Sequence, residues 1–98
     1  MPTFDVQRRG AELQRQLATL TGHDQATVRP YGKHLLIQMH RDDTVHTVAR
    51  ITEVARNVYS SAFRSHTGRW EPLPGTGTLA ETADLVVSLL APYLESNN

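Results

Sequence analysis

Apolar and polar side chains alternate with a period of two through the middle of the chain. Val45, Thr47, Ala49 and Ile51 interleave with His46, Val48, Arg50 and Thr52, and just upstream Leu35, Ile37 and Met39 interleave with His34, Leu36, Gln38 and His40. A period of two places alternate residues on opposite faces of an extended strand. The two runs are therefore expected to pair as a hairpin around Arg41-Asp42-Asp43-Thr44. A three-residue loop of Asp42, Asp43 and Thr44 sets residue 41 opposite 45, 40 opposite 46, 37 opposite 49 and 35 opposite 51. Lys33 then faces Glu53, and the apolar sets of both strands share one face.

Residues 57–65 (Tyr59, Phe63) read as a further strand. A two-residue Thr67-Gly68 turn leads to a last strand over 69–73, with Ser65 opposite Trp70, so Trp70 is expected to pack inward beside Phe63. Pro72 and Pro74 cannot donate to a ladder and mark this strand as an edge. Residues 26–29 form a short extended piece before a Pro30-Tyr31-Gly32 turn. Residues 43–65 also fit a helical wheel, with His46, Arg50, Glu53, Asn57, Ser60 and Arg64 on one side. Their content of Val, Thr, Ile, Tyr and Phe favours strands instead.

The period changes at both ends of the chain. Val6, Leu13, Leu17 and Leu20 recur at helical spacing, with Gly10 on the same stripe and Gly22 placed as a C-terminal cap. Glycine inside a helix costs about 1 kcal/mol relative to alanine, so Gly10 is expected to admit a neighbouring element at close range. Thr78 and Glu81 spell a capping box that opens a second helix. Its apolar residues, from Leu79 to Leu90, cover most of the circumference, so burial on more than one side is expected. Pro92 ends the helix, Tyr93 and Leu94 dock the tail, and residues 95–98 fray.

Composition adjusts this picture more than it defines it. The 98 residues form one domain with a modest core, numbered 1–98 throughout, and the formal net charge is zero. Residues 1–71 hold all ten basic and seven acidic groups, whereas residues 72–98 hold three acids and no base. A protein that binds duplex nucleic acid by charge alone is excluded by that balance. Nine of the ten basic residues are arginine, which suits bidentate contact with carboxylate or phosphate. The absence of cysteine removes disulfides, thiolate ligands and cysteine nucleophiles. No apolar leader or membrane-length segment is evident, so a cytoplasmic protein is expected.

Candidate chemistry is sparse. Gly75-Thr76-Gly77-Thr78-Leu79-Ala80 matches the dinucleotide-binding glycine pattern, but too little chain follows it for the second parallel strand and acidic residue that the pattern requires. His40 opposite His46 could touch one metal ion with a third ligand from Asp42, Asp43 or His66, while His34 lies too far along the strand. Ser60, Ser61 and Ser65 lack a nucleophile elbow. The helix-strand-helix order resembles that of double-stranded RNA-binding domains, yet residues 79–94 contain no Lys or Arg where that family's second helix is basic.

These patterns predict an α+β fold: an N-terminal helix, an antiparallel meander of about four strands and a C-terminal helix, with both helices on one face of the sheet. The other face combines Leu36, Val48, Val58 and Ala62 with a rim of histidine and arginine, the make-up of an interaction surface. The expectation is a non-enzymatic protein-binding module, an adaptor or inhibitor that docks a protein partner or a second copy, with a homodimer expected, through Leu36, His40, His46, Val48, Arg50 and Arg64, with no cofactor and no metal. Single-stranded nucleic-acid binding by the same face is the alternative.

Overall fold

The computed structural model describes residues 4–95; the frayed end expected beyond them, residues 96–98, lies outside this range. The order of elements is α1 (Phe4–Thr21), β1 (Ala26–Tyr31), β2 (His34–Arg41), β3 (Thr44–Ala55), β4 (Val58–Arg64), β5 (Trp70–Pro72) and α2 (Leu79–Leu90), closed by a 3₁₀ turn at Ala91–Tyr93. The strands form one antiparallel meander in the order β1-β2-β3-β4-β5. Residues 43–65 thus hold two strands joined by a turn at Arg56-Asn57 and not one helix, and the short piece at 26–29 extends to a full edge strand, giving five strands where the sequence suggests about four.

Both helices cover one face of this sheet. Leu13 and Leu17 from α1 and Leu79, Ala83, Val86 and Leu90 from α2 meet Leu35, Ile37, Met39, Ala49, Ile51 and Tyr59 in a single buried cluster. Gly10 is the point where α1 crosses β1 and β2: a Cβ there would stand 3.4 Å from Pro30 Cγ and 3.6 Å from Leu35 Cδ2. The glycine's entropic cost is therefore exchanged for close approach. Gly22, at φ 79°, donates to Ala18 O and ends α1 as its sequence position suggests.

The capping box on α2 is complete. Thr78 Oγ1 accepts from the Glu81 amide at 3.1 Å and Glu81 Oε1 accepts from the Thr78 amide at 2.9 Å. A Cβ on Gly77 would stand 2.8 Å from Glu81 Oε1, so the second glycine of the Gly-x-Gly pattern makes room for this cap. Helix α2 packs on both α1 and β4, although Leu89 remains exposed. Of the two residues expected to dock the tail, Leu94 is buried and Tyr93 is exposed. Leu94 thus docks the tail in the core cluster, and the tail is held through its carbonyl groups as well: Arg41 Nη2 donates to Tyr93 O and Glu95 O, and His23 Nε2 meets Leu94 O at 2.6 Å. Because His23 Nδ1 accepts from the Gln25 amide, Nε2 carries the hydrogen in this contact.

Register decides which side chains reach the uncovered face. The inner half of the β2-β3 hairpin pairs as the alternation requires, with Leu35 opposite Ile51 and Ile37 opposite Ala49. Nearer the tip the pairing is one residue shorter: Arg41 faces Thr44, His40 faces Val45 and Met39 faces His46. The tip is a two-residue turn, with Asp42 and Asp43 both at positive φ (51° and 64°), a conformation that Asp tolerates better than most residues. Val48 is the extra residue that reconciles the two halves. Were β3 to continue without this bulge, Arg50 would turn under the helices and Ala49 and Ile51 would turn out, so the bulge is what keeps Arg50 on the open side.

Candidate functional site

The open face is organised in rows across the sheet. The central row runs Arg29, Leu36, Arg50, Ala62 and Pro72, each opposite the next on the neighbouring strand. On one side lies a polar row, Tyr31, His34, Thr52 and Ser60. On the other side lie Thr27, Gln38 and Thr47, and beyond them Arg64 opposite Trp70. Short side-chain hydrogen bonds tie the polar rows across strands: His34 Nδ1 to Thr52 Oγ1 at 2.7 Å, His40 Nε2 to Thr27 Oγ1 at 2.9 Å, and Gln38 Nε2 donating to Thr47 Oγ1 at 3.2 Å.

Trp70 corrects the sequence-based expectation. The turn after β4 closes with Ser65 and Arg69 facing each other, Ser65 N–H donating to Arg69 O and Gly68 N–H to Ser65 O. Trp70 therefore pairs with Arg64, not Ser65. A one-residue shift flips a side chain to the other face, and the indole lies outside while Tyr59 and Phe63 remain on the helix side. There the Arg50 guanidinium carbon stands 4.6 Å and that of Arg64 5.6 Å from the ring centroid, both within cation–π range. Tyr31, with 66% of its surface exposed, is the other aromatic on this face.

The six residues predicted for docking separate accordingly. Leu36, Arg50 and Arg64 lie together on the open face, and His40 lies on it near the hairpin tip. His46 faces Met39 and so sits on the helix side of the sheet, exposed at its end, which also breaks the imagined His40–His46 pair. Val48, at the bulge, is half-buried and packs against the core cluster. Trp70 and Arg29 join the face without having been predicted. The alternation of Thr27, Arg29 and Tyr31 would have placed Arg29; Trp70 was hidden because the turn length is not readable from Thr67-Gly68 alone.

Charge on this face has one sign. At the strand positions that point outward the charged residues are Arg29, Arg50 and Arg64, and none is Asp or Glu. Burial, followed by the positive charges of Arg50 and Lys33, holds the His34 imidazole below its ordinary pKa. Glu53 and Glu71 pair with Tyr59 and Phe63, and so belong to the opposite side.

The edges of the sheet are less accessible than its face. On the free edge of β1 the Val28 amide donates to Gln14 Oε1 at 2.9 Å, and Pro30 has no amide hydrogen to offer. At the other edge β5 is three residues long and ends in Pro72, and Gly77 bridges to Tyr59 beyond it. Among the described residues, no three His, Asp or Glu side chains are grouped so as to hold a metal ion, and no helix is long and apolar enough to cross a membrane. No family model matches the chain, and no curated protein or solved structure does so either.

Proposed function

We propose that this chain is a non-enzymatic, cytoplasmic docking module that binds another protein through the open face of its sheet. The observation that carries this reading is the Arg50–Trp70–Arg64 cluster beside Leu36 and Ala62. Trp, Tyr and Arg are the residue types that most often dominate binding energy, and they do so where they surround apolar ground. Left to water, such a face would be expected to be polar throughout. Blunted edges argue against recognition by strand addition. Two copies docked face to face would bring two sets of arginines together with no carboxylate on either face, a juxtaposition of like charge that is unfavourable, so a different protein is favoured over the homodimer that the sequence suggests.

Single-stranded nucleic acid is a second reading, supported by the outward positions of Trp70 and Tyr31, since base stacking needs exposed rings. A photo-crosslinking residue placed at Leu36, and in a second variant at Leu89 on the helix layer, separates the two. A defined protein adduct in cells from position 36, absent from position 89 and lost with Arg50→Glu, is the expected result. Adducts to nucleic acid from position 36, or protein adducts from position 89 alone, would remove the protein-docking reading.

A further inference from the structure

We infer that the segment recognised by this face is acidic and amphipathic, with carboxylates that meet Arg29, Arg50 and Arg64 and apolar side chains that meet Leu36 and Ala62. The inference rests on the protein-docking reading above and names the chemistry of the partner. Three features of the face carry it.

The first is charge without compensation. The three arginines on outward positions have no carboxylate neighbour on the same face, so an acidic partner supplies what the fold withholds, and a basic one is repelled. The second is pre-organisation. A guanidinium laid against an aromatic ring keeps its N–H edge free for a bidentate carboxylate while losing little freedom on binding. Arg50 and Arg64 are both held this way by Trp70.

The third is spacing. Arg29 and Arg50 flank Leu36 on successive strands, which puts their backbones roughly 10 Å apart at the usual strand separation. Arg64 is diagonal to Arg50 across β3 and β4, a separation of roughly 7–8 Å. Cationic and apolar positions thus alternate. A phosphate backbone asks for a continuous basic track and free rings. Here the flanking rows, Arg64 apart, are hydroxyl and amide groups with the imidazoles of His34 and His40, and the indole is already occupied by two guanidinium groups. Carboxylates interspersed with apolar groups match this layout better than a polynucleotide.

Trp70 is the only tryptophan of the chain and so reports on its own site. The full chain is titrated with a short synthetic peptide of interspersed Glu and Leu, with its Gln-for-Glu counterpart, and with oligothymidylate of matched length, following Trp70 emission. A saturable change with the Glu peptide is expected, weakened by about tenfold or more in Arg50→Gln and Arg64→Gln and unchanged in Arg15→Gln on the helix layer. Circular dichroism of each variant separates lost binding from lost folding. An unresponsive indole, equal binding of the Gln peptide, or tighter binding of the oligonucleotide overturns the inference. A protein adduct from position 36 obtained alongside any of these would leave the docking reading standing and remove only the acidic partner.

Discussion

The two faces of one sheet carry opposite assignments. Toward the helices, the covered positions from β1 to β4 are Ala26, Val28, Leu35, Ile37, Met39, Ala49, Ile51, Tyr59 and Phe63, with Ser61 buried among them and His46 and Glu53 exposed at the ends of the same side. Away from the helices, residues one step along the same strands are Arg29, Leu36, Arg50, Ala62 and Arg64, joined by Trp70. The covered face is closed by two helices and needs nothing further. The open one mixes aromatic, apolar and cationic groups in a way that water alone does not require. On the docking reading, stability and recognition are thus set by neighbouring residues pointing in opposite directions, and substitutions can address them separately.

The largest expected contrast comes from two adjacent residues. Ile37 is fully buried and its replacement by Ala removes core contacts and leaves a cavity, at a cost of about 2–5 kcal/mol. Leu36 is half-buried on the open face, and Leu36→Ala is expected to cost less than about 1 kcal/mol because no element packs over it. Urea unfolding of both variants measures the difference. Equal losses would mean that the open face is covered in solution, by another copy or by another part of the molecule.

A smaller contrast concerns room. The nearest atoms to a Cβ at Gly10 are those of Pro30, Leu35 and Val28, 3.4 to 3.7 Å away, so Gly10→Leu is expected to crowd the helix-sheet contact and cost about 1–3 kcal/mol. Gly10→Ala trades crowding against a helix-propensity gain of about 1 kcal/mol and is expected to be nearly neutral. Ala62→Leu, the corresponding enlargement on the open face, meets no layer above it and is expected to change stability by less than about 0.5 kcal/mol. Shifts in unfolding midpoint rank the three, and a costly Ala62→Leu would contradict the picture of an uncovered face.

The alternation of Leu35, Ile37, Ala49 and Ile51 made the covered face legible from sequence, because burying two helices against it leaves only one workable register. The tip of the same hairpin differs from what the alternation predicts. The sequence suggests a loop over residues 42–44, the turn is Asp42-Asp43, and Val48 restores the lost residue as a bulge. Turn and bulge cancel, so the core pairing came out right while Val45 and His46 exchanged faces. Trp70 had no such second constraint. Its short edge strand has no buried partner to fix its parity, so turn geometry alone chose its face, and the most informative residue of the candidate site was the least predictable.

The smallest effect joins the two faces through pH. The imidazole of His34 is held below its ordinary pKa by burial and by Arg50 and Lys33, so between about 6.5 and the lowered value the unfolded chain binds more protons than the folded one. Stability from this group is complete above the ordinary histidine range and declines as the pH falls through it. His34→Gln removes the titration, so wild type is expected to lose ground against this variant between about pH 7.5 and 5, in denaturant midpoints compared pairwise. A difference that does not move with pH would mean that the folded environment of His34 does not disfavour its charge. If the partner is acidic, binding reverses this sign. Carboxylates brought beside Arg29 and Arg50 would offset the repulsion that His34 senses and favour its protonated form, so affinity for the Glu-containing peptide is expected to rise as the pH falls through the same range, and to rise less in His34→Gln.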